Sequence, residues 1–127
     1  MDTETKAADL ALFAFLEKIG ARLRRYEEEA AESLHLYGNE ERYRALHREK
    51  TAFLISLPDM AQTVLDPVAP ELRKEAEGGL NQFAFAARRA KEKDSVFYMS
   101  VLLFPDDENR KEPVAFDEFI EYLEKLA

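Results

Sequence analysis

Cysteine is absent from the 127 residues, which excludes disulfides, thiolate metal sites, iron–sulfur clusters and thiol nucleophiles. Histidine is nearly absent, with His35 and His47 alone, so catalysis has few imidazoles to draw on. Hydroxyl nucleophiles are scarce too: Ser33, Ser56, Ser95, Ser100, Thr3, Thr5, Thr51 and Thr63. None stands in a motif that pairs it with histidine, and there is no nucleophile elbow, phosphate-binding loop, G-x-G-x-x-G or H-E-x-x-H. The longest uninterrupted apolar run, 10–16, falls well short of the ~20 residues that span a bilayer, so no membrane partner is expected. The opening Met1-Asp2-Thr3-Glu4 is acidic and polar, unlike a secretory leader, and a cytoplasmic location is the expectation.

A basic half is also missing. Residues 1–63 hold 12 acids and 9 bases, residues 64–127 hold 14 and 9, and the whole chain carries −8. A phosphate backbone has nothing broad to bind, so no nucleic-acid partner is expected. Three basic clusters occur: Arg22, Arg24 and Arg25; Arg42, Arg44, Arg48 and Lys50; Arg88, Arg89, Lys91 and Lys93. Each sits beside acids and reads as a solvated helix face with local pairs. Both histidines read as surface residues.

What the chain does contain is helical rhythm. Leu12, Leu16, Ile19, Leu23, Tyr26, Ala30, Ser33 and Tyr37 recur at alternating steps of four and three. That is the seam of a helix packed lengthwise on a partner. The spacing predicts a helix over 5–37, a turn at Gly38-Asn39 with Asn39 as N-cap, and a second helix over 40–57. In the hairpin, facing positions should have numbers summing to about 77, which sets Leu23 against Leu54 and Leu34 against Tyr43. The broad apolar face of 5–23 implies burial against several elements, and the narrow one of 24–37 implies a seam with the second helix only.

Ser56-Leu57-Pro58-Asp59 is expected to break the second helix, with a short helix over 59–66 beyond it. Pro70 suits the first turn of a helix over 70–92. Gly78-Gly79 within it implies a kink or a close approach by another backbone. Asp94 or Ser95 then caps the apolar run 96–104, read as a buried helix, with a β-hairpin against 113–116 as the alternative. Residues 105–113 read as a polar loop, and 115–126 as a last amphipathic helix on Phe116, Phe119, Ile120 and Leu123. The expected fold is a single domain, 1–127: an all-α, up-and-down bundle of four to five helices with a long N-terminal helical hairpin.

Three constellations bear on chemistry. Glu28-Glu29-Ala30-Ala31-Glu32 has the form E-E-x-x-E and resembles one half of the metal site of the all-α nucleotide pyrophosphohydrolases, the MazG-like and dimeric dUTPase group. The resemblance implies magnesium held by Glu28, Glu29 and Glu32 beside a nucleotide's phosphates. The group's E-x-x-D on the next helix is missing, since Glu49 is followed by Lys50, Thr51 and Ala52. Glu32-Ser33-Leu34-His35 has the E-x-x-H form of di-iron bundles, but His47 has Arg44 where a second such motif needs a carboxylate. Asp107, Asn109 and Glu118 sit at calcium-loop offsets 1, 3 and 12, with Lys111, Glu112 and Pro113 where ligands and a glycine belong. No cofactor or metal is therefore expected.

One feature favours binding over catalysis. Phe83 and Phe85 point roughly 200° apart on a helix. Phe83 belongs to the apolar stripe; Phe85 shares its side with Asn81, Arg88, Arg89 and Glu92. A large aromatic on a polar face is a partner-binding anchor. Phe85, Arg88 and Arg89, with Tyr37 at the hairpin turn, are the candidate contact residues for a protein partner or a second copy. The expected function is protein–protein interaction or self-association, and the alternative is a pyrophosphohydrolase-like enzyme with a degenerate carboxylate site.

Overall fold

The computed structural model describes residues 3–105 and 112–127, apart from the side chains of Glu4 and Thr5. Among them are five helices: α1 (Thr3–His35), α2 (Glu40–Leu65), α3 (Pro70–Glu92), α4 (Val96–Ser100) and α5 (Ala115–Leu126). They form an all-helical bundle with a long N-terminal hairpin. α1 packs on α2 and α2 on α3; α4 lies against α2 and α3, and α5 lies against α1 and α3. The β-hairpin alternative is not realised: 96–100 and 115–126 are helical, and among the described residues the backbones there are linked by the Ala115 N–H donating to the Leu103 carbonyl at 2.9 Å.

The seam of α1 is buried from Leu12 to Ser33, with Tyr26 half-buried. It fails at Tyr37, which lies beyond the helix end. The last turn widens, with the Asn39 N–H donating to the Ser33 carbonyl at 2.7 Å, and Gly38 takes φ +59°, where a side chain would be strained. Asn39 then caps α2, its side chain accepting from the Arg42 N–H at 3.0 Å. Lys50 pairs with Glu27 across the seam, and their numbers sum to 77, the register expected from the sequence.

Two expectations about helix limits are corrected. α2 does not stop at Pro58 but runs on to Leu65, so there is no separate helix over 59–66. Pro58 withholds one N–H from the ladder, at a cost of ~3 kcal/mol. Against that, Leu54, Leu57, Ala61 and Leu65 form one buried stripe through the proline. At ~1.5–3 kcal/mol per buried leucine, the packing outweighs the lost bond. The run 96–104, in turn, is not one buried helix. Ser95 caps α4, accepting from the Tyr98 N–H at 3.2 Å, but the helix ends at Ser100 and gives way to turns. Met99 and Leu103 are buried, whereas Phe97, Tyr98 and Val101 are exposed.

Gly79 resolves differently from either expectation. α3 is continuous from Pro70 to Glu92, and what approaches is a side chain. A Cβ on Gly79 would stand 2.1 Å from Phe119 Cε1, so the glycine makes room for an α5 ring. That ring completes a trio with Phe83 and Phe116, whose centroids lie 5.3–5.7 Å apart. Gly78 beside it meets open space. α5 is fixed further by Phe116, Ile120 and Leu123 in the core and by Arg24 donating to Asp117 Oδ1 at 2.8 Å.

Candidate functional site

The hairpin end of the bundle carries two groups of residues with chemistry. One is internal. Lys50 of α2 has a fully buried side chain, and its Nζ donates to Glu27 Oε1 of α1, itself only 15% exposed. His47, one turn earlier, is buried too, with Tyr43 edge-on to its ring at 4.6 Å. Thr51 is buried, and its hydroxyl donates to the His47 carbonyl at 2.7 Å. This corrects two readings of the sequence: Lys50 is not part of a solvated basic face, and His47 is not a surface histidine. His35 is exposed, as expected.

Burial governs the electrostatics of this cluster. It pushes Lys50 below the usual lysine range, while the Glu27 carboxylate, by charge and by hydrogen bond, pulls it back up. Burial, with the Lys50 ammonium second, holds His47 at about 4, so its ring is neutral at neutral pH. The His47 Nδ1 is buried and has no hydrogen-bond partner among the described residues. A neutral, edge-packed imidazole beside an ion pair suits architecture better than proton transfer.

The other group is external. Phe85 is 59% exposed on α3, with the Arg89 guanidinium 5.9 Å from its ring centroid. Phe97 and Tyr98 of α4 are exposed and stack edge-on at 5.7 Å, and Lys93 Nζ lies 4.8 Å over the Tyr98 ring. An open, mostly apolar groove runs between α3 and α4, lined by Ala86, Arg89, Ala90, Lys93, Tyr98, Val101 and Leu102. A shallower concavity adjoins it at Phe85, Arg88, Arg89, Glu92 and Lys93. On the far side of α4 a second groove is bounded by Leu34, Tyr43, Arg44, Arg48 and Phe97. α4 is thus a ridge with an exposed ring on each flank.

The candidate contact residues divide accordingly. Phe85, Arg88 and Arg89 come together on one face. Tyr37, 77% exposed at the hairpin turn, lines none of these hollows. Sequence reasoning missed Tyr98, Val101 and the role of Lys93, because the run 96–104 was assigned to the core. A signal was present: adjacent rings at 97 and 98 point ~100° apart on a helix, so a helix covered on one face cannot easily bury both.

Of the acidic motifs, Glu28 and Glu32 are exposed, and Glu29 faces Arg42 at 3.8 Å. Among the described residues no three His, Asp or Glu side chains stand where they could hold one ion. Asp107 and Asn109 of the calcium-loop reading lie outside the described residues. No described helix is long and apolar enough to cross a membrane. The class this fold defines is an all-helical bundle with a long N-terminal hairpin. Neither family models, nor curated proteins, nor solved structures give a match to the chain.

Proposed function

We propose that this protein works by protein–protein contact, self-association included, through the face that α3 and α4 present together, and that it does so in the cytoplasm. The observation that carries the reading is the pair of exposed rings Phe85 and Tyr98, each with a cation over it, with exposed Phe97 edge-on to Tyr98. Apolar rings left in water on a chain with an otherwise complete core are a cost to solubility, and they are enriched where partners dock. Arg89 and Lys93 shield part of that surface, and neither is in an ion pair among the described residues.

The reading is tested with a photo-cross-linking phenylalanine analogue at position 85, compared with the same analogue at exposed position 121 on α5. Discrete adducts from position 85, with a partner or a second copy, that disappear in Tyr98→Ala are the expected result. Adducts no more discrete from 85 than from 121 would overturn it.

A further inference from the structure

Resting on that reading, we infer that the groove between α3 and α4 receives an acidic amphipathic helix of a protein partner, about two turns long. Three features carry this. The first is the shape of the groove. It is lined by the small Ala86 and Ala90 and by Arg89 and Lys93 from α3, and by Tyr98, Val101 and Leu102 from α4 and the turn after it. Small residues between taller walls let a helix ridge come close, as in helix-in-groove recognition. From Ala86 to Lys93 the α3 side of the groove rises ~10.5 Å at ~1.5 Å per residue, which matches two turns of a partner and anchors at i, i+4 and i+7.

The second feature is charge. The chain as a whole carries −8. Among the described residues that line the groove and its adjoining concavity, Arg88, Arg89 and Lys93 stand against one acid, Glu92, and none of the three cations is in an ion pair. The nearest further acid in the chain, Asp94, is taken by Arg48 at 3.2 Å. The net charge of the chain repels a carboxylate-rich helix at a distance, and this rim offers it cations beside an apolar groove. The third feature is openness. A small ligand is normally enclosed over most of its surface, whereas this groove covers one side only of what enters it. That suits the apolar stripe of a helix whose other side stays in water.

The test is selection of a displayed library of random 16-residue peptides on the whole protein, with Arg89→Glu/Lys93→Glu as counter-target. Both changes are at exposed positions, and circular dichroism and melting temperature check that the variant keeps the fold. The expected result is enrichment of peptides rich in Asp and Glu, with apolar residues at i, i+4 and i+7, and their binding should weaken more than tenfold on the charge-reversed variant. Added salt should weaken it as well. Peptides that need Phe85 and Tyr98 but are no more acidic than the library would overturn the acidic-helix inference and leave the interaction reading standing. Acidic peptides with apolar residues at i and i+2, or indifferent to the charge reversal, would also overturn it. Absence of any enrichment would overturn it too, with cross-linking from position 85 deciding the broader reading separately.

Discussion

The two halves of this bundle have different interiors. Where α5 covers α1 and α3, the core is leucine and phenyl: Leu12, Leu16, Leu57, Leu80, Phe116 and Leu123, with the phenyl trio seated on Gly79. Toward the hairpin turn small and polar residues join Leu46 and Met99 inside: Ala30, Ser33, Ala84, Ala90, and then His47, Lys50 and Thr51. Phe85, Phe97 and Tyr98 of that half stand outside, while Tyr26 and Tyr43 are half-buried. The first half draws its stability from volume and close packing, which pH does not touch. The second also encloses a buried charge pair, which is costly when one partner is removed or changes protonation.

The largest effect that would sharpen this contrast is expected at Glu27. Glu27→Ala leaves Lys50 buried and unpaired, and should cost ~3–5 kcal/mol of folding stability by chemical denaturation. Adding Lys50→Met to Glu27→Leu should recover most of the loss, since both charges then go. If the single variant melts like the native chain, the polar half is not held by its ion pair.

Acid should act on the same half. Because His47 is held near 4 in the fold, its contribution is present above the unfolded value of 6.5 and is lost as pH falls toward 4. That amounts to about 3 kcal/mol over the window. Denaturation between pH 7 and 4 should show the decline, and His47→Leu should flatten it. An unchanged slope in the variant would assign the decline to carboxylates alone.

In the apolar half, adjacent glycines should respond with opposite signs. Gly79→Ala sets a methyl against Phe119 and should cost ~1–3 kcal/mol despite the gain in helix propensity. Gly78→Ala meets open space and should stabilise by up to ~1 kcal/mol. Thermal melts of the pair decide it, and equal shifts would mean that the phenyl trio yields easily.

The smallest effect is expected at Phe85. Phe85→Ala should change folding stability by no more than ~0.5 kcal/mol, as exposed sites do. Phe83→Ala, against Phe116 and Phe119, should cost several-fold more. Comparable losses would give Phe85 a structural role and remove it from the contact surface.

The contrast between Phe83 and Phe85 was legible in the sequence, because two residues on a helix point apart whatever surrounds them. The hairpin register, the Gly38 turn, the Pro70 start and the stripe of α5 were legible for the same local reason. What escaped depends on distant neighbours. Pro58 reads as a stop until α1 and α3 are present to hold Leu54 through Leu65. Lys50 reads as solvated until Glu27, 23 positions away, is set against it. Gly79 shows only that room is needed, not that Phe119 fills it. The contact face was half legible: Phe85, Arg88 and Arg89 lie on one element, while Tyr98 and Val101 belong to a run whose apolarity pointed inward.

The placement of α5 bears on the order of assembly. α1, α2 and α3 meet as consecutive neighbours through four-residue connections, whereas α5 reaches α1 across 93 positions, as the Arg24–Asp117 pair marks. Closing so long a loop is the slower entropic step. During synthesis, three helices can collapse together before α5 has emerged, leaving Gly79 and Phe83 bare on the nascent chain. Pulse-labelled amide exchange during refolding should find α5 among the last segments protected, and the apolar face it covers is where a chaperone would have its brief opportunity.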